Sequence, residues 1–228
     1  MYIDFHAHIL PNADHGSDGI PNSLAQLENA ARAGISTIVA TPHYYARERS
    51  VEEFLEKREA AYNELMSNYN GDIKIIKAAE VQISLGIEKL PELPKLCIEG
   101  TNYILLEFPN EPWPYWIYDA VTEIARERRL RPICAHIDRY SHIGRDKILN
   151  LNMDVQINAS AFLDTRRRRN YYLELIGDDA VHLLGSDVHG DGNLSYKDFA
   201  YAVKKIGGPL MAEMTNNAKK ILAKSENK

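Results

Sequence analysis

The sequence predicts an α/β fold in which a closed or nearly closed barrel of parallel strands is covered by helices. Short apolar, β-branched runs alternate with amphipathic helical patterns along the whole chain, and this alternation is typical of parallel sheets. Seven such runs and a length of 228 residues suit one barrel domain. An open doubly wound sheet is the alternative, but no Gly-x-Gly-x-x-Gly follows the first run. We expect residues 1–228 to form one domain.

The strand candidates are the short apolar runs that are rich in β-branched residues. They cover residues 2–9, 36–41, 73–78, 103–108, 132–137, 155–159 and 181–185. Because these runs are continuously apolar, we expect both faces of each strand to be buried, as in a parallel sheet covered by helices.

The helix candidates lie between and after these runs. The first begins at Pro21 and stops at Gly34, and Leu24, Leu27 and Ala31 share one face. The others cover residues 51–69, 115–129, 145–151, 166–177, 196–206 and 216–224.

Composition excludes several classes of protein. Hydrophobic residues at 45% and charged residues at 26% are ordinary values for a globular chain, and a net charge of −5 argues against general nucleic-acid binding. No apolar run is long enough to span a membrane, and no signal-peptide pattern opens the sequence. Two cysteines cannot form a disulfide framework at this size. We therefore expect a cytoplasmic protein, and whether it forms a homo-oligomer stays open.

Histidines and carboxylates recur at or just beyond the carboxyl ends of the predicted strands. They are His6, His8, His15, His43, Glu80, Glu107, His136, Asp187 and His189. In a barrel these strand ends form one rim, where catalytic side chains gather. Imidazole and carboxylate ligands without thiolates suit Mn²⁺, Fe or Zn²⁺, and nine ligands are too many for one ion. The pattern predicts a site for two or three divalent ions.

These motifs resemble those of the polymerase and histidinol phosphatase (PHP) superfamily. The motifs are Asp4-x-His6-x-His8, Thr41-x-His43, Glu80, Ala135-His136-Ile137 and Ser186-Asp187-x-His189. The chain is more closely similar to the bacterial manganese-dependent protein-tyrosine phosphatases of capsule and exopolysaccharide clusters. That likeness is carried by His8-Ile9-Leu10-Pro11, Asp14-x-Gly16, Leu106-x-Phe108 and Ala135-His136-Ile137-Asp138-Arg139-Tyr140. The resemblance covers essentially the whole chain and implies a distorted (β/α)7 barrel with three metal ions.

The resemblance also implies which residues would hold each ion. The first set would be His6, His8, Glu80 and Asp187. The second set would share Glu80 and add Glu107 and His136. The third set would be His15, His43 and His189. Manganese is the first choice of metal, with iron and zinc as alternatives.

The sequence departs from the pattern of those phosphatases in two places. They read Asp-Asp-Gly where this chain has Asp14-His15-Gly16, so either Asp14 or His15 is the ligand there. They also carry an arginine shortly after the Asp-x-His motif, and residues 190–196 contain none.

The chemistry expected of such a site is hydrolysis of phosphate monoesters. Clustered cations would lower the pKa of a bound water to about 7, and the resulting metal-bound hydroxide would attack phosphorus. Arg139 is the candidate for binding phosphate, and the alternative is a surface ion pair with Asp138 or Glu123. Asp4 is expected to orient a ligand histidine.

Side chains after the second strand are candidates for binding the rest of the substrate. Tyr44 and Arg47 lie in the segment Tyr44-Tyr45-x-Arg47-x-Arg49, which would line a pocket for an aromatic phosphate or would be a rim loop without a special role. A cysteine-based phosphatase is excluded, because the positions six residues beyond Cys97 and Cys134 are Tyr103 and Tyr140 rather than arginine.

Three hypotheses follow for function. The first is a protein-tyrosine phosphatase acting on an autophosphorylating bacterial tyrosine kinase of exopolysaccharide synthesis. The second keeps the site but takes histidinol phosphate or another small phosphoester. The third is a non-enzymatic metal-binding barrel that docks partners through the four consecutive arginines at residues 166–169.

Overall fold

The computed structural model describes residues 1–190 and 193–223. Within those residues the strands are β1 (Tyr2–Ala7), β2 (Ile35–Ala40), β3 (His43–Tyr44), β4 (Lys74–Lys77), β5 (Glu80–Gln82), β6 (Tyr103–Glu107), β7 (Arg131–Cys134), β8 (Asp154–Asn158) and β9 (Leu183–Gly185). The helices are α1 (Ile20–Arg32), α2 (Val51–Asn68), α3 (Tyr115–Arg126), α4 (His142–Leu149), α5 (Arg166–Gly177), α6 (Asn193–Ile206) and α7 (Gly208–Ala223). No described helix is both long and apolar enough to cross a membrane.

The strands are parallel and form two sheets, in the orders β1-β2-β4 and β3-β5-β6-β7-β8-β9. Short interruptions separate β3 from β2 and β5 from β4. Across these interruptions the amide of Ala78 donates to the carbonyl of Ala40 at 2.8 Å, and the amide of Glu80 donates to that of Pro42 at 3.1 Å. The two sheets are thus halves of one curved wall.

The end of β9 closes this wall against β1. The amide of Asp187 donates to the carbonyl of His6 at 2.8 Å, and the amide of His8 donates to that of Val188 at 3.1 Å. The seven predicted strands therefore form the predicted distorted (β/α)7 barrel, in which β3 and β5 are the separated ends of the second and third strands.

Three helices begin several residues earlier than the sequence patterns predict, and one of them, α6, begins at Asn193 rather than at 196. Helix α4 begins at His142 rather than at 145, because the Oγ of Ser141 accepts a hydrogen bond from the amide of Gly144 at 3.1 Å and caps it. Helix α7 begins at Gly208 rather than at 216, since Pro209 stands in the first turn, where no backbone donor is needed. The predicted end at 224, together with residues 191 and 192 of the segment lacking arginine, lies outside the described residues.

The inside of the barrel is apolar over most of its depth. Side chains from strands around the whole wall pack together there, among them Ile3, Val39, Leu105, Ile133 and Leu183. Ala218 and Ile221 of α7 join the same cluster. Lys219 and Leu222 of α7 also line a cleft with residues at the starts of β2 and β4. Helix α7 therefore covers the amino end of the barrel.

Charged side chains follow this apolar layer toward the carboxyl ends of the strands. Glu80 comes two residues after Ala78, and Glu107 comes two residues after Leu105. Because residues two apart on a strand share a face, Glu107 lies one layer above Leu105, and Glu80 begins β5 just beyond the interruption that contains Ala78. The fold therefore places both carboxylates at the rim of the barrel.

Candidate metal centre

Two imidazoles and two carboxylates meet at the carboxyl end of the barrel. Glu80 Oε2 lies 3.1 Å from His6 Nε2 and 3.3 Å from His8 Nε2, and Asp187 Oδ1 lies 3.5 and 3.4 Å from the same two nitrogens. All four residues are buried, and their ligand atoms lie within 4.8 Å of one another. The structure thus brings together the whole first set from the sequence analysis.

The residues of the second set also lie together. His136 Nε2 is 2.7 Å from Glu80 Oε1 and 3.8 Å from Glu107 Oε1. His43, Glu80 and Glu107 form a further group whose ligand atoms lie within 4.8 Å of one another. Glu80 therefore lies between two groups of ligands.

Asp14 and His15 occupy different positions relative to the third set. Asp14 Oδ2 lies 2.7 Å from His8 Nδ1 and 2.8 Å from His43 Nδ1, so it fixes both rings from their outer side. The exposed ring of His15 stacks on those of His43 and His189, with centroids 4.4 and 5.0 Å apart. His8, His43 and His189 themselves form a group with ligand atoms within 4.8 Å.

The polar atoms at the centre of this group fit a divalent cation. Glu80 Oε2 and Asp187 Oδ1 are buried and form no hydrogen bond of regular geometry among the described residues, although the Nε2 atoms of His6 and His8 lie 3.1–3.5 Å away. Leaving a buried polar atom unpaired costs about 1–3 kcal/mol, and both of these atoms belong to residues of one four-residue group. Nitrogen and oxygen ligands without thiolates suit Mn²⁺, Fe or Zn²⁺.

Electrostatics keeps the central carboxylates ionised. Burial acts to raise the pKa of Glu80, but the neighbouring imidazoles of His6, His136 and His8 outweigh it and hold that pKa well below its ordinary value. The pKa of Asp187 is lowered in the same way, with burial opposed by His6, His8 and Arg139. Burial and the nearby charge of His8 lower the pKa of His189 to about 4, which keeps its ring neutral at physiological pH.

Two residues of the centre adopt backbone conformations that are rare for residues other than glycine. The φ angles of His136 and Asp187 are 33° and 52°, and such left-handed conformations cost about 1–3 kcal/mol each. The amide of His136 is held there by Gln156 Oε1 at 2.7 Å. These turns end the strand geometry at both residues.

Two amides on β8 support the centre, and sequence analysis missed both. Gln156 Oε1 lies 3.2 Å from His6 Nδ1, and Gln156 Nε2 donates to Asn158 Oδ1 at 2.9 Å. Asn158 Nδ2 donates in turn to Asp187 Oδ2 at 2.8 Å. The available signal was the alternation of the two amides with Val155 and Ile157 on one buried strand.

Gly185 permits the close approach of this network to β9. A Cβ atom at this position would lie 2.7 Å from the Cβ of His6 and 2.7 Å from Gln156 Nε2. Any larger residue would push apart the strands that carry these side chains. The glycine is therefore a packing requirement of the centre.

Arg139 lies at the edge of the centre with half of its side chain exposed. Its guanidinium donates to Asp187 Oδ2 rather than forming the alternative ion pair with Asp138 or Glu123. Asp138 is instead bonded to the amide of Asn158 at 2.9 Å. The guanidinium is thus both anchored and accessible from solvent.

Asp4 has a different role from the one expected. Its carboxylate accepts hydrogen bonds from the amide and the hydroxyl of Ser186, at 2.8 and 2.6 Å, and from the backbone amide of His6 at 3.3 Å. Burial raises its pKa to about 6 against these hydrogen bonds. Asp4 therefore holds the backbones of β1 and the segment after β9 together, and does not touch the ring of a ligand histidine.

The expectation that Tyr44 binds substrate is wrong. Its ring is buried and packs edge-on against Phe54 with centroids 5.3 Å apart. Tyr45 is the residue beside the centre, and its ring stacks on that of His43 at 5.3 Å. Alternation along β3 explains the exchange, since residues 43 and 45 share a face that residue 44 does not. Arg47 is exposed in the segment between β3 and α2.

Comparison with known proteins identifies a family over nearly the whole chain. Residues 2–223 match the family model described as capsular polysaccharide synthesis, CpsB/CapC. The tyrosine-protein phosphatase CpsB of Streptococcus pneumoniae is 28% identical over 96% of this chain and 98% of its own length.

Solved structures share the fold. A chain from the structures of YwqE of Bacillus subtilis and CpsB of Streptococcus pneumoniae, described as unique metal-dependent tyrosine phosphatases, has a TM-score of 0.78 and 24% identity, covering 97% of this chain and 94% of that one. The histidinol phosphate phosphatase of Lactococcus lactis, solved with zinc, L-histidinol and phosphate, is more distant, with a TM-score of 0.55 and 16% identity over 90% of this chain and 94% of that one. The family match bears out the resemblance drawn from the motifs: this chain belongs to the CpsB/CapC family of capsular polysaccharide synthesis proteins.

Proposed function

We propose that this protein is a metal-dependent phosphomonoesterase that removes phosphate from tyrosine residues of proteins. The observation that carries this proposal is the convergence of His6, His8, Glu80 and Asp187 on one buried point with Arg139 at its edge. The tyrosine-protein phosphatase names of the relatives support the same reading. The distant fold likeness to histidinol phosphate phosphatase supports the second hypothesis less well.

The residues of the centre would hold three divalent ions, with manganese as the first choice. The sets are those implied by the sequence. Asp14 already fixes the Nδ1 atoms of His8 and His43, so His15 is the residue that completes the third set. When bound, the ions would acidify water and offset the charge of the phosphate.

The chain's own side chains would bind and orient the substrate around those ions. The exposed fork of Arg139 can donate two hydrogen bonds to phosphate oxygens. The ring of Tyr45 offers an aromatic face beside His43 on which the phenyl group of phosphotyrosine can pack. The phenol of tyrosine has a pKa of about 10. The leaving group can therefore depart as the phenolate, with little need for a general acid to protonate it.

The proposal is tested with purified full-length protein and Mn²⁺. The protein should hydrolyse p-nitrophenyl phosphate and a phosphotyrosine peptide, and His6→Ala and His136→Ala should abolish both activities. His142→Ala is the matched control, because this ring is exposed and its one ion-pair partner among the described residues is Asp146 on α4. Full activity with unchanged metal content in both centre variants would sink the proposal. Faster turnover of histidinol phosphate than of the peptide would favour the second hypothesis.

The biological setting belongs to the same proposal. The capsule-synthesis family of the chain supports an autophosphorylating bacterial tyrosine kinase of exopolysaccharide synthesis as the substrate, and the cytoplasm as the location. The family match over residues 2–223 supports one phosphatase domain. Elemental analysis of protein purified without chelators would identify the metal.

A further inference from the structure

Exposed large apolar side chains are concentrated at one end of the barrel. Leu85, Tyr115, Ile143 and Leu163 are 71%, 89%, 67% and 53% exposed. They lie in the connections that follow β5, β6, β7 and β8, which are four neighbouring parallel strands. Since these connections leave the carboxyl ends of the strands, all four side chains lie at the end that carries the metal centre. We call these four residues the apolar rim.

Packing joins the connections that carry the apolar rim. The 3₁₀ helix Ile87–Lys89, which follows Leu85, packs against α3, which begins at Tyr115. The amide of Ser141, two residues before Ile143, donates to Glu111 Oε1 at 2.7 Å and so ties the segment before Tyr115 to α4.

Helix α4 is joined to α5 in turn. The guanidinium of Arg145 lies 5.6 Å from the ring centroid of Tyr171 on α5. The four connections that carry the apolar rim are therefore joined in sequence from β5 to β8, on one side of the barrel's carboxyl end.

The last of these four connections is basic. Arg166 and Arg167 follow Leu163 and are exposed, and neither has an ion-pair partner within the described parts of the chain. Arg168 differs, because it pairs with Asp164 at 2.6 Å. Positive charge at a helix amino end opposes the helix dipole, so these arginines do not stabilise α5. The protein as a whole carries a net charge of −5, which makes this basic patch a local exception.

Resting on the proposed phosphatase function, we propose that the apolar rim with Arg166 and Arg167 docks an acidic polypeptide segment that presents the phosphotyrosine to the centre. Apolar side chains of the segment would pack on the rim, and its carboxylates would pair with the two arginines. Burial of apolar area would stabilise the complex, while the charge pairs would speed and orient association.

The test uses two phosphotyrosine peptides with the same apolar flanking residues. One peptide also carries acidic residues, and the other carries serines in their place. The double change Arg166→Glu with Arg167→Glu should lower kcat/KM for the acidic peptide by about tenfold, mostly through KM. It should leave p-nitrophenyl phosphate turnover unchanged. Tyr115→Ser and Leu163→Ser should lower kcat/KM for both peptides by the same factor. Lys204→Glu with Lys205→Glu, the same charge change at the far end of α6, is the control.

Direct binding separates failure of the docking proposal from failure of the proposed function. Fluorescence anisotropy of the labelled acidic peptide is measured with the wild type and the arginine variant, with and without added salt. Weaker binding by the variant supports the docking surface even if no phosphate is released. The docking proposal would be overturned if the wild type and the arginine variant bound the peptide with equal affinity. It would also be overturned if the wild type bound phosphatidylserine vesicles more tightly than the peptide.

Discussion

The two ends of the barrel are built from the same strands but hold opposite chemistry. Toward the amino end, Ile3 packs in the apolar interior with Ala218 and Ile221 of α7. At the carboxyl end, the same wall carries buried imidazoles, carboxylates and amides, and the atoms Glu80 Oε2 and Asp187 Oδ1 form no hydrogen bond of regular geometry among the described residues. The contrast shows that stability and chemistry are divided along the strand direction. One end gains from burying apolar surface, and the other bears the cost of buried charge.

The sharpest test of this contrast is Glu80→Gln at the carboxyl end. Glu80 lies between two groups of ligands, so loss of its charge should lower kcat/KM for p-nitrophenyl phosphate by about 100-fold or more and reduce the metal content. Steady-state kinetics with elemental analysis measures both effects. Glu99→Gln, an exposed partner of Lys77, should change neither. If the Glu80 variant kept its metal and its activity, chemistry would not be confined to the carboxyl end in the way described.

The opposite result is expected for Ile221→Ala at the amino end. The side chain is buried in the barrel interior, so its truncation should lower the free energy of unfolding by about 2–5 kcal/mol. The kcat/KM of the folded fraction should stay at the wild-type value. Urea unfolding followed by circular dichroism, together with assays at low temperature, measures the two quantities. A loss of activity without a loss of stability would contradict the expectation.

An intermediate effect is expected for Gln156→Met, which keeps the volume but removes the hydrogen bonds to His6 and His136. Changes in side chains that orient metal ligands typically cost 10–100-fold in affinity or activity. Titration calorimetry with Mn²⁺ should therefore report weaker binding. The free energy of unfolding should also fall, because the amide of His136 and Asn158 Oδ1 lose their buried partner. Asn150→Ala, at the exposed end of α4, is the control. If the variant bound Mn²⁺ with unaltered affinity, Gln156 would have no role in orienting the metal ligands.

The smallest effect is expected from modification of thiols. Burial raises the pKa of Cys97 to about 12 and that of Cys134 well above its ordinary value. Because a raised pKa lowers the thiolate fraction, neither thiol should react quickly with N-ethylmaleimide at pH 7.5 in the folded protein. Mass spectrometry before and after unfolding measures this, and hydrolysis should persist after treatment. Rapid labelling of either cysteine in the folded protein, with loss of hydrolysis, would contradict this expectation.

Much of the fold could be predicted from the sequence because the signals are local. Seven apolar runs mark the strands, and the histidines after them mark the rim. Of the two interruptions, the one between β2 and β3 contains Pro42, which is typical of a break in a strand. The one between β4 and β5 falls at Ala78-Ala79, which carries no such signal. The early start of α7 was missed because Gly208 and Pro209 are typical both of a break and of a first turn.

The candidate site was predictable as a set of residue types, but its finer assignments depend on side-chain direction. Tyr44 and Tyr45 are adjacent in sequence, and only the direction of β3 decides which one meets His43. The left-handed conformations of His136 and Asp187 likewise break the alternation on which sequence reasoning relies. Gln156 was overlooked because amides carry no metal-binding signature of their own.

The closure between β1 and the segment after β9 has a consequence for biosynthesis. The carbonyl of His6 accepts from the amide of Asp187, and Asp4 holds Ser186, so the seam joins parts of the chain that leave the ribosome far apart in time. A nascent chain that ends before β9 carries most of the imidazoles but lacks the strand that completes their arrangement. The proposed cation-binding centre is therefore complete only after β9 has been synthesised.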